Sequence, residues 1–81
     1  MTTVYVFDVD EFRPLIDAAG QRQAVSVRKV GPYVEVSADG PIEIDRRESG
    51  VRHAVWYSAV AGVVAGRVEQ FDKEQLRVVP A

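Results

Sequence analysis

The chain has 81 residues, of which 47% are hydrophobic and 27% are charged, a balance typical of a folded domain and unlike that of a disordered chain. A chain of this length supports one core, so we expect a single domain over residues 1–81 that tends to associate with copies of itself or with other chains. Twelve acidic against ten basic side chains give a net charge of −2, which argues against nucleic acid and anionic membrane surfaces as partners.

The residue types present exclude several kinds of site. No cysteine occurs, so disulfides, thiol nucleophiles and thiolate metal sites are ruled out. With one histidine, His53, and no carboxylates at a recurring ligand spacing, the sequence predicts no metal site, and no nucleotide-binding fingerprint indicates a cofactor. No run approaches the ~20 apolar residues of a membrane span and no signal-peptide pattern is found, so we expect a cytoplasmic protein.

Charge is unevenly divided along the chain. Residues 1–45 carry four basic and eight acidic side chains, a net charge of −4, whereas residues 46–81 carry six and four, a net charge of +2. The positive part is either an ordinary solvated surface or a patch for an anionic ligand or an acidic partner.

The first predicted elements are a strand and a helix. Residues 4–9 form a β-branched and aromatic run, whose near-continuous apolarity predicts a central strand covered on both faces. The apolar residues that follow at helical spacing are Phe12, Leu15, Ile16 and Ala19. They predict a helix over 10–19 that ends at Gly20, with Asp8 or Asp10 as its N-cap.

The two aspartates have a second interpretation. FDVDEF, residues 7–12, resembles the first motif of the haloacid dehalogenase-like phosphatases. The resemblance implies that Asp8 attacks phosphorus, that Asp10 is the general acid and that Mg²⁺ neutralises the phosphate. However, Phe12 stands where that motif usually has Thr or Val, no later acidic pair completes the metal site, and 81 residues are too few for that doubly wound fold. We therefore favour the helix cap.

Three short alternating segments follow the helix. Residues 24–30 and 33–38 alternate in hydrophobicity on either side of Gly31-Pro32, which predicts a hairpin with a type II′ turn. Residues 41–46 alternate again after a second turn. The simplest assembly is a three-stranded antiparallel meander packed against the helix.

The next segment is ambiguous between helix and strand. Residues 51–61 predict a buried helix because alanine is frequent, alternation is lacking and Ser49 is a suitable cap, yet the valines and aromatic residues also suit a strand. In the helical interpretation Gly62 is a helix terminator and Gly66 begins a strand.

A closing hairpin completes the predicted fold. Residues 66–71 and 76–80 have strand character on either side of a polar four-residue turn. The expected architecture is α+β in the order β-α-β-β-β-α-β-β, with a mostly antiparallel sheet packed by one or two helices.

One part of the sequence gathers the residue types that anchor protein interfaces. It comprises Arg46, Arg47, Arg52, His53, Trp56 and Tyr57. Trp, Tyr and Arg dominate interface hot spots, and paired guanidinium groups also bind phosphate or carboxylate. We predict that these residues contact a protein partner, with a small anionic ligand as an alternative; Trp56 and Tyr57 would otherwise belong to the core.

Two functions agree with these features. The first is a small non-catalytic binding or accessory protein without a cofactor, acting as a homo-oligomer or as a minor subunit of a larger enzyme. The second is a cofactor-free isomerase or lyase with a pocket at a subunit interface, in which His53 is the acid and base and an arginine binds the anionic substrate. We favour the first because the sequence contains no complete catalytic constellation.

Overall fold

Two antiparallel sheets and two short helices make up the computed structural model, which describes residues 1–22, 24–52 and 56–81. The strands are β1 (Thr2–Phe7), β2 (Val25–Val30), β3 (Tyr33–Ala38), β4 (Ile42–Asp45), β5 (Val60–Ala65), β6 (Arg67–Phe71) and β7 (Gln75–Val79). The helices are α1 (Arg13–Gly20), preceded by a 3₁₀ turn at Asp10–Phe12, and α2 (Arg46–Ser49). The predicted α+β class is confirmed.

The first sheet has the strand order β2-β3-β1-β5, and the second has the order β4-β7-β6. The predicted hairpin of β2 and β3 is present, with pairing from Val25 opposite Ala38 to Val30 opposite Tyr33. Gly31 has a φ of 58°. Because the next residue is a proline, which cannot take a positive φ, the two-residue turn is type II′.

The predicted three-stranded meander is wrong, because β4 leaves the first sheet. β3 is already bonded on one edge to β2 and on the other to β1, so no edge of β3 is free for β4. β4 instead pairs antiparallel with β7, from Ile42 opposite Val78 to Asp45 opposite Gln75. The closing hairpin of β6 and β7 is present as predicted.

The helix predicted over residues 51–61 is wrong at its C-terminal end. Val60 begins β5, which pairs with β1, and Gly62 lies within that strand opposite Tyr5 rather than ending a helix. The Trp56 amide does donate to the Arg52 carbonyl at 3.1 Å, a helical bond. The centre of the predicted helix, residues 53–55, lies outside the described residues.

The start of the first helix is held differently from the prediction. The side chains of Asp8 and Asp10 cap neither the 3₁₀ turn nor α1. The Asp8 carboxylate instead accepts a hydrogen bond of 2.6 Å from Arg13 Nη2, and it lies 3.4 Å from Lys29 Nζ. A side-chain cap does occur at α2, where Asp45 accepts from the Glu48 amide at 3.1 Å; this cap ends the strand predicted to reach residue 46.

The core lies between the inner face of the first sheet, α1 and the second sheet. Its fully buried members include Val4, Val6, Leu15, Val36, Ile42, Ile44, Trp56, Ala59, Leu76 and Val78. All four residues of the predicted helical face are buried, which confirms the amphipathic helix. Neither α1 nor α2, the described helices, is long and apolar enough to cross a lipid bilayer.

Gly66 is the corner at which the chain passes from β5 in the first sheet to β6 in the second. Its φ is 118°, a backbone conformation that other residues rarely adopt. A Cβ at this position would lie 2.9 Å from the Val79 carbonyl oxygen and 3.1 Å from a methyl carbon of Thr2. The corner therefore requires glycine for both conformational and steric reasons.

We expect Gly66→Ala to lower the free energy of unfolding by at least about 2 kcal/mol, because strain and overlap act together. The matched control is Gly62→Ala, whose added Cβ meets nothing within 4 Å and whose effect should stay within about 1 kcal/mol. Urea unfolding followed by the fluorescence of Trp56, the single tryptophan, measures both variants. Equal stability of the two variants would show that the corner tolerates a side chain.

Candidate functional site

The structure divides the predicted contact residues into an internal and an external group. Arg46 and Trp56 form the internal group. We use the name turn clasp for these two residues and the carbonyls of residues 72–74 that they bind. Trp56 Nε1 donates to the Asp72 carbonyl at 2.6 Å, the Arg46 amide donates to the Glu74 carbonyl at 2.8 Å, and Arg46 Nε donates to the Lys73 carbonyl. Three successive carbonyls of the β6–β7 turn are thus satisfied.

Trp56 is only 1% exposed, so it is not available as the surface anchor that the sequence pattern indicated. Its ring meets the ring of Phe71 edge-on, with centroids 5.9 Å apart and planes at 72°. The sequence alternative that places Trp56 in the core is the one observed. An indole with a bonded N–H can be buried without loss of a hydrogen bond, which explains this position.

The turn held by the clasp is also ordered from within by Asp72. Its carboxylate accepts hydrogen bonds from the amides of Glu74 and Gln75, at 2.9 and 3.1 Å, and from the Gln70 side chain at 2.8 Å. The Gln70 bond, followed by the two amide bonds, lowers the pKa of Asp72 below its usual range. The carboxylate therefore stays ionised to a lower pH than an ordinary aspartate does, which keeps the turn closed.

The external group consists of Arg47, Arg52 and Tyr57, which are exposed. Tyr57 is 48% exposed, and its ring centroid lies 5.1 Å from that of Phe71. His53 lies outside the described residues, so its predicted catalytic role stays a prediction. Among the described residues, no group of three or more His, Cys, Asp or Glu side chains is arranged to hold a metal ion.

A second surface, which the sequence analysis missed, is the outward side of the first sheet. Val4 and Val6 of β1 point into the core, so Tyr5 and Phe7 point outward, and Tyr33 of β3 lies opposite Phe7. The ring centroids of Tyr5 and Tyr33 are 5.9 Å apart, and those of Phe7 and Tyr33 are 5.6 Å apart. Phe7 is 39% exposed. The prediction that β1 is covered on both faces is therefore wrong.

A small polar network borders these rings. The Tyr5 hydroxyl donates to Glu35 at 3.0 Å, and an Arg28 guanidinium nitrogen lies 3.2 Å from the other oxygen of the same carboxylate. We call these five residues the aromatic face: Tyr5, Phe7, Arg28, Tyr33 and Glu35. The hydrogen bond to Glu35, followed by desolvation and the negative charge of Glu35, raises the pKa of Tyr5 above its ordinary value, against the opposing effect of Arg28.

The second sheet presents a different outward side, which is ionic. Arg77 on the central strand β7 lies 2.9 Å from a Glu43 oxygen on β4 and donates to Glu69 on β6 at 2.6 Å. The hydrogen bonds to Glu69 and Glu43 raise the pKa of Arg77. The two carboxylates and the guanidinium form a solvated ion-pair network across three strands, whereas the aromatic face is formed mainly by rings.

We expect Trp56→Phe to lower the free energy of unfolding by about 1–3 kcal/mol, because the Asp72 carbonyl loses its buried donor. Arg46→Met, which keeps the apolar stem and the backbone bond to Glu74, should lower it by only about 0.5–1.5 kcal/mol. Urea unfolding followed by circular dichroism is the measurement, since the first variant lacks tryptophan. Unchanged stability of Trp56→Phe would show that the Trp56 bond to the Asp72 carbonyl contributes nothing to stability.

The Tyr5–Glu35 bond gives a prediction for alkaline pH. The phenol donates only when protonated, so the stability from this bond is present below the ordinary tyrosine pKa of about 10 and is lost as pH rises through the raised folded value. Absorbance titration at alkaline pH should show one tyrosine ionising above the ordinary value. That step should move to lower pH in Glu35→Gln and should not move in Glu69→Gln; a wild-type curve without it contradicts the assignment.

Comparison with known proteins yields a structural likeness. No protein family matches the sequence, and no curated protein matches it. The fold is similar to that of a chain in the solved structure of the phenol hydroxylase–regulatory protein complex, with a TM-score of 0.80 and 15% sequence identity. The likeness covers 99% of this chain and 98% of the other, so the two chains share one complete fold and nearly the same length.

Proposed function

We propose that this protein is a small non-catalytic regulatory subunit that binds a larger hydroxylase enzyme and changes its turnover. The observation that carries the proposal is the end-to-end likeness to a chain of the phenol hydroxylase–regulatory protein complex. An accessory role is also the function that the sequence favoured.

The predicted contact residues that are exposed include positive charges, which could attract an acidic surface of the enzyme. Arg47, Arg52 and Tyr57 are all exposed, and they lie in the part of the chain whose net charge is +2. Cations at the rim of an interface accelerate encounter with an acidic surface more than they strengthen the final complex. We therefore assign Arg47 and Arg52 a steering role towards an acidic region of the enzyme.

The alternative enzymatic function has less support in the structure. It required His53 together with an arginine free to bind an anionic substrate. The Arg46 side chain is bonded to the Lys73 carbonyl, whereas Arg47 and Arg52 are exposed, and His53 lies outside the described residues. No contact among the described residues favours the alternative.

The proposal is tested by capture and reconstitution. The tagged protein is used to isolate its partner from native cells, and the recovered enzyme is then freed of the protein and assayed on phenol while the purified chain is added back. We expect a saturable change in the initial rate as the chain is titrated. A captured enzyme whose turnover does not respond, or capture of copies of this chain alone, would contradict the regulatory function.

We expect Arg52→Glu to slow association with the recovered enzyme by roughly 3–10-fold at low salt, with a smaller effect at high salt. The matched control is Arg67→Glu, which makes the same charge change at an exposed position on β6. Association rates from surface-based binding measurements compare the two variants. Equal rates for Arg52→Glu and the wild type would remove this arginine from the contact.

A further inference from the structure

The two edge strands of the first sheet differ in the charges that would discourage pairing with another chain. β2, at one edge, carries Arg28 and Lys29, charges that discourage pairing with other chains. β5, at the other edge, has the sequence VAGVVA and carries no polar side chain. In the part of the chain that the structure describes, no further strand bonds to the free side of β5. An uncharged edge is a liability unless bulges disrupt its pairing or something covers it.

Irregularities in β5 limit what can cover it. The register with β1 shifts twice, so that Ala61 and Val64 are extra residues on the β5 side. Each shift breaks the regular spacing of backbone donors and acceptors along the strand. An added strand, from a second copy or from another protein, would therefore find no continuous ladder. Val64 is 63% exposed, so its side chain is available to an occupant that contacts side chains rather than extending the sheet.

The β5 edge is continuous with the aromatic face through β1. Gly62 lies opposite Tyr5, and a Cβ on Gly62 would meet nothing within 4 Å, so an open space lies beside the Tyr5 ring. The charged groups of this surface, Arg28 and Glu35, are already paired with each other. Covering the surface with apolar groups would therefore leave no charge without a partner.

The size of this surface helps to identify its occupant. Four strands spaced about 4.8 Å apart, with six residues of about 3.3 Å each, give a footprint of roughly 300–400 Å². A stable specific interface buries about 800 Å² on each partner, so face-to-face stacking of two copies is too small by itself. The length of the face, about 20 Å, matches an α-helix of about 13 residues, which a larger protein can place here while making further contacts elsewhere.

We propose that the aromatic face and the β5 edge together bind an apolar side of one α-helix of the larger enzyme, with a helix side chain inserted over Gly62. This inference rests on the proposed function and adds to it the contact surface and the kind of element that occupies it. The polar pair of Arg28 and Glu35 then lies at the rim, as in ordinary interfaces with an apolar centre.

Two variants test the surface by different means. Val64→Lys adds a charge to the uncovered edge, and Gly62→Val fills the open space beside Tyr5 without removing any contact. The control is Val27→Lys, which makes the same change at a 40% exposed valine on the opposite face of the same sheet. Urea unfolding followed by Trp56 fluorescence establishes that each variant is folded before binding is measured.

The probe is the enzyme recovered with the tagged wild-type protein. The first measurement is the dissociation constant of the complex between this enzyme and each variant. The second is the mass of the free chain in sedimentation equilibrium. We expect Val64→Lys and Gly62→Val each to weaken binding by at least about 10-fold, as at an interface hot spot, and Val27→Lys to remain within about 2-fold. Wild-type affinity in both test variants would overturn this inference and leave the proposed function intact.

Other outcomes separate the two proposals further. If wild-type protein shows no affinity for any hydroxylase, the proposed function fails and this inference fails with it. If the free chain is a dimer that Val64→Lys dissociates, the occupant is a second copy and the helix of the enzyme is excluded. Equal weakening by Val27→Lys would also overturn the inference, because the effect would not depend on the face.

Discussion

β1 is bonded on both of its edges, and the remaining topology depends on that constraint. Its backbone groups pair with β3 on one side and with β5 on the other. Buried backbone groups left without partners would each cost about 1–3 kcal/mol, so the chain must return to β1 twice. The first return occupies the free edge of β3 and forces β4 into another sheet. The second makes a strand of residues whose composition also suits a helix.

Signals confined to neighbouring residues were sufficient for part of the fold. The amphipathic helix, the hairpin around Gly31 and the closing hairpin follow from periodicity and turn chemistry within about ten residues. The meander prediction was wrong because the observed partner of β4 is β7, which is remote in sequence. The alternation of residues 41–46 shows that one face is buried, but it contains no information on whether β3 or β7 is the neighbour. Asp8 illustrates the same limit, because its ionic partners include Lys29, which is remote in sequence.

The candidate site shows why residue type alone is a poor guide to a contact surface. Arg46 and Trp56 have the chemistry of interface anchors, yet that same chemistry serves an internal turn that needs three donors. Tyr5 and Tyr33 suit strands by residue type, and in the structure they also lie on an open sheet face. The period-2 alternation of β3 contained a usable signal, since Tyr33 and Glu35 share a face opposite to that of Val34 and Val36.

The single-residue corner at Gly66 has a consequence for how the two sheets respond to disturbance. With no linker between β5 and β6, a displacement of one strand is transmitted directly to the other, and from β6 through its backbone pairing to β7. The closeness of Gly66 to Val78, Val79 and Thr2 makes the same connection through packing. The two sheets are therefore mechanically coupled. A force that displaces β5, at the exposed edge of the first sheet, also displaces β7, the central strand of the second.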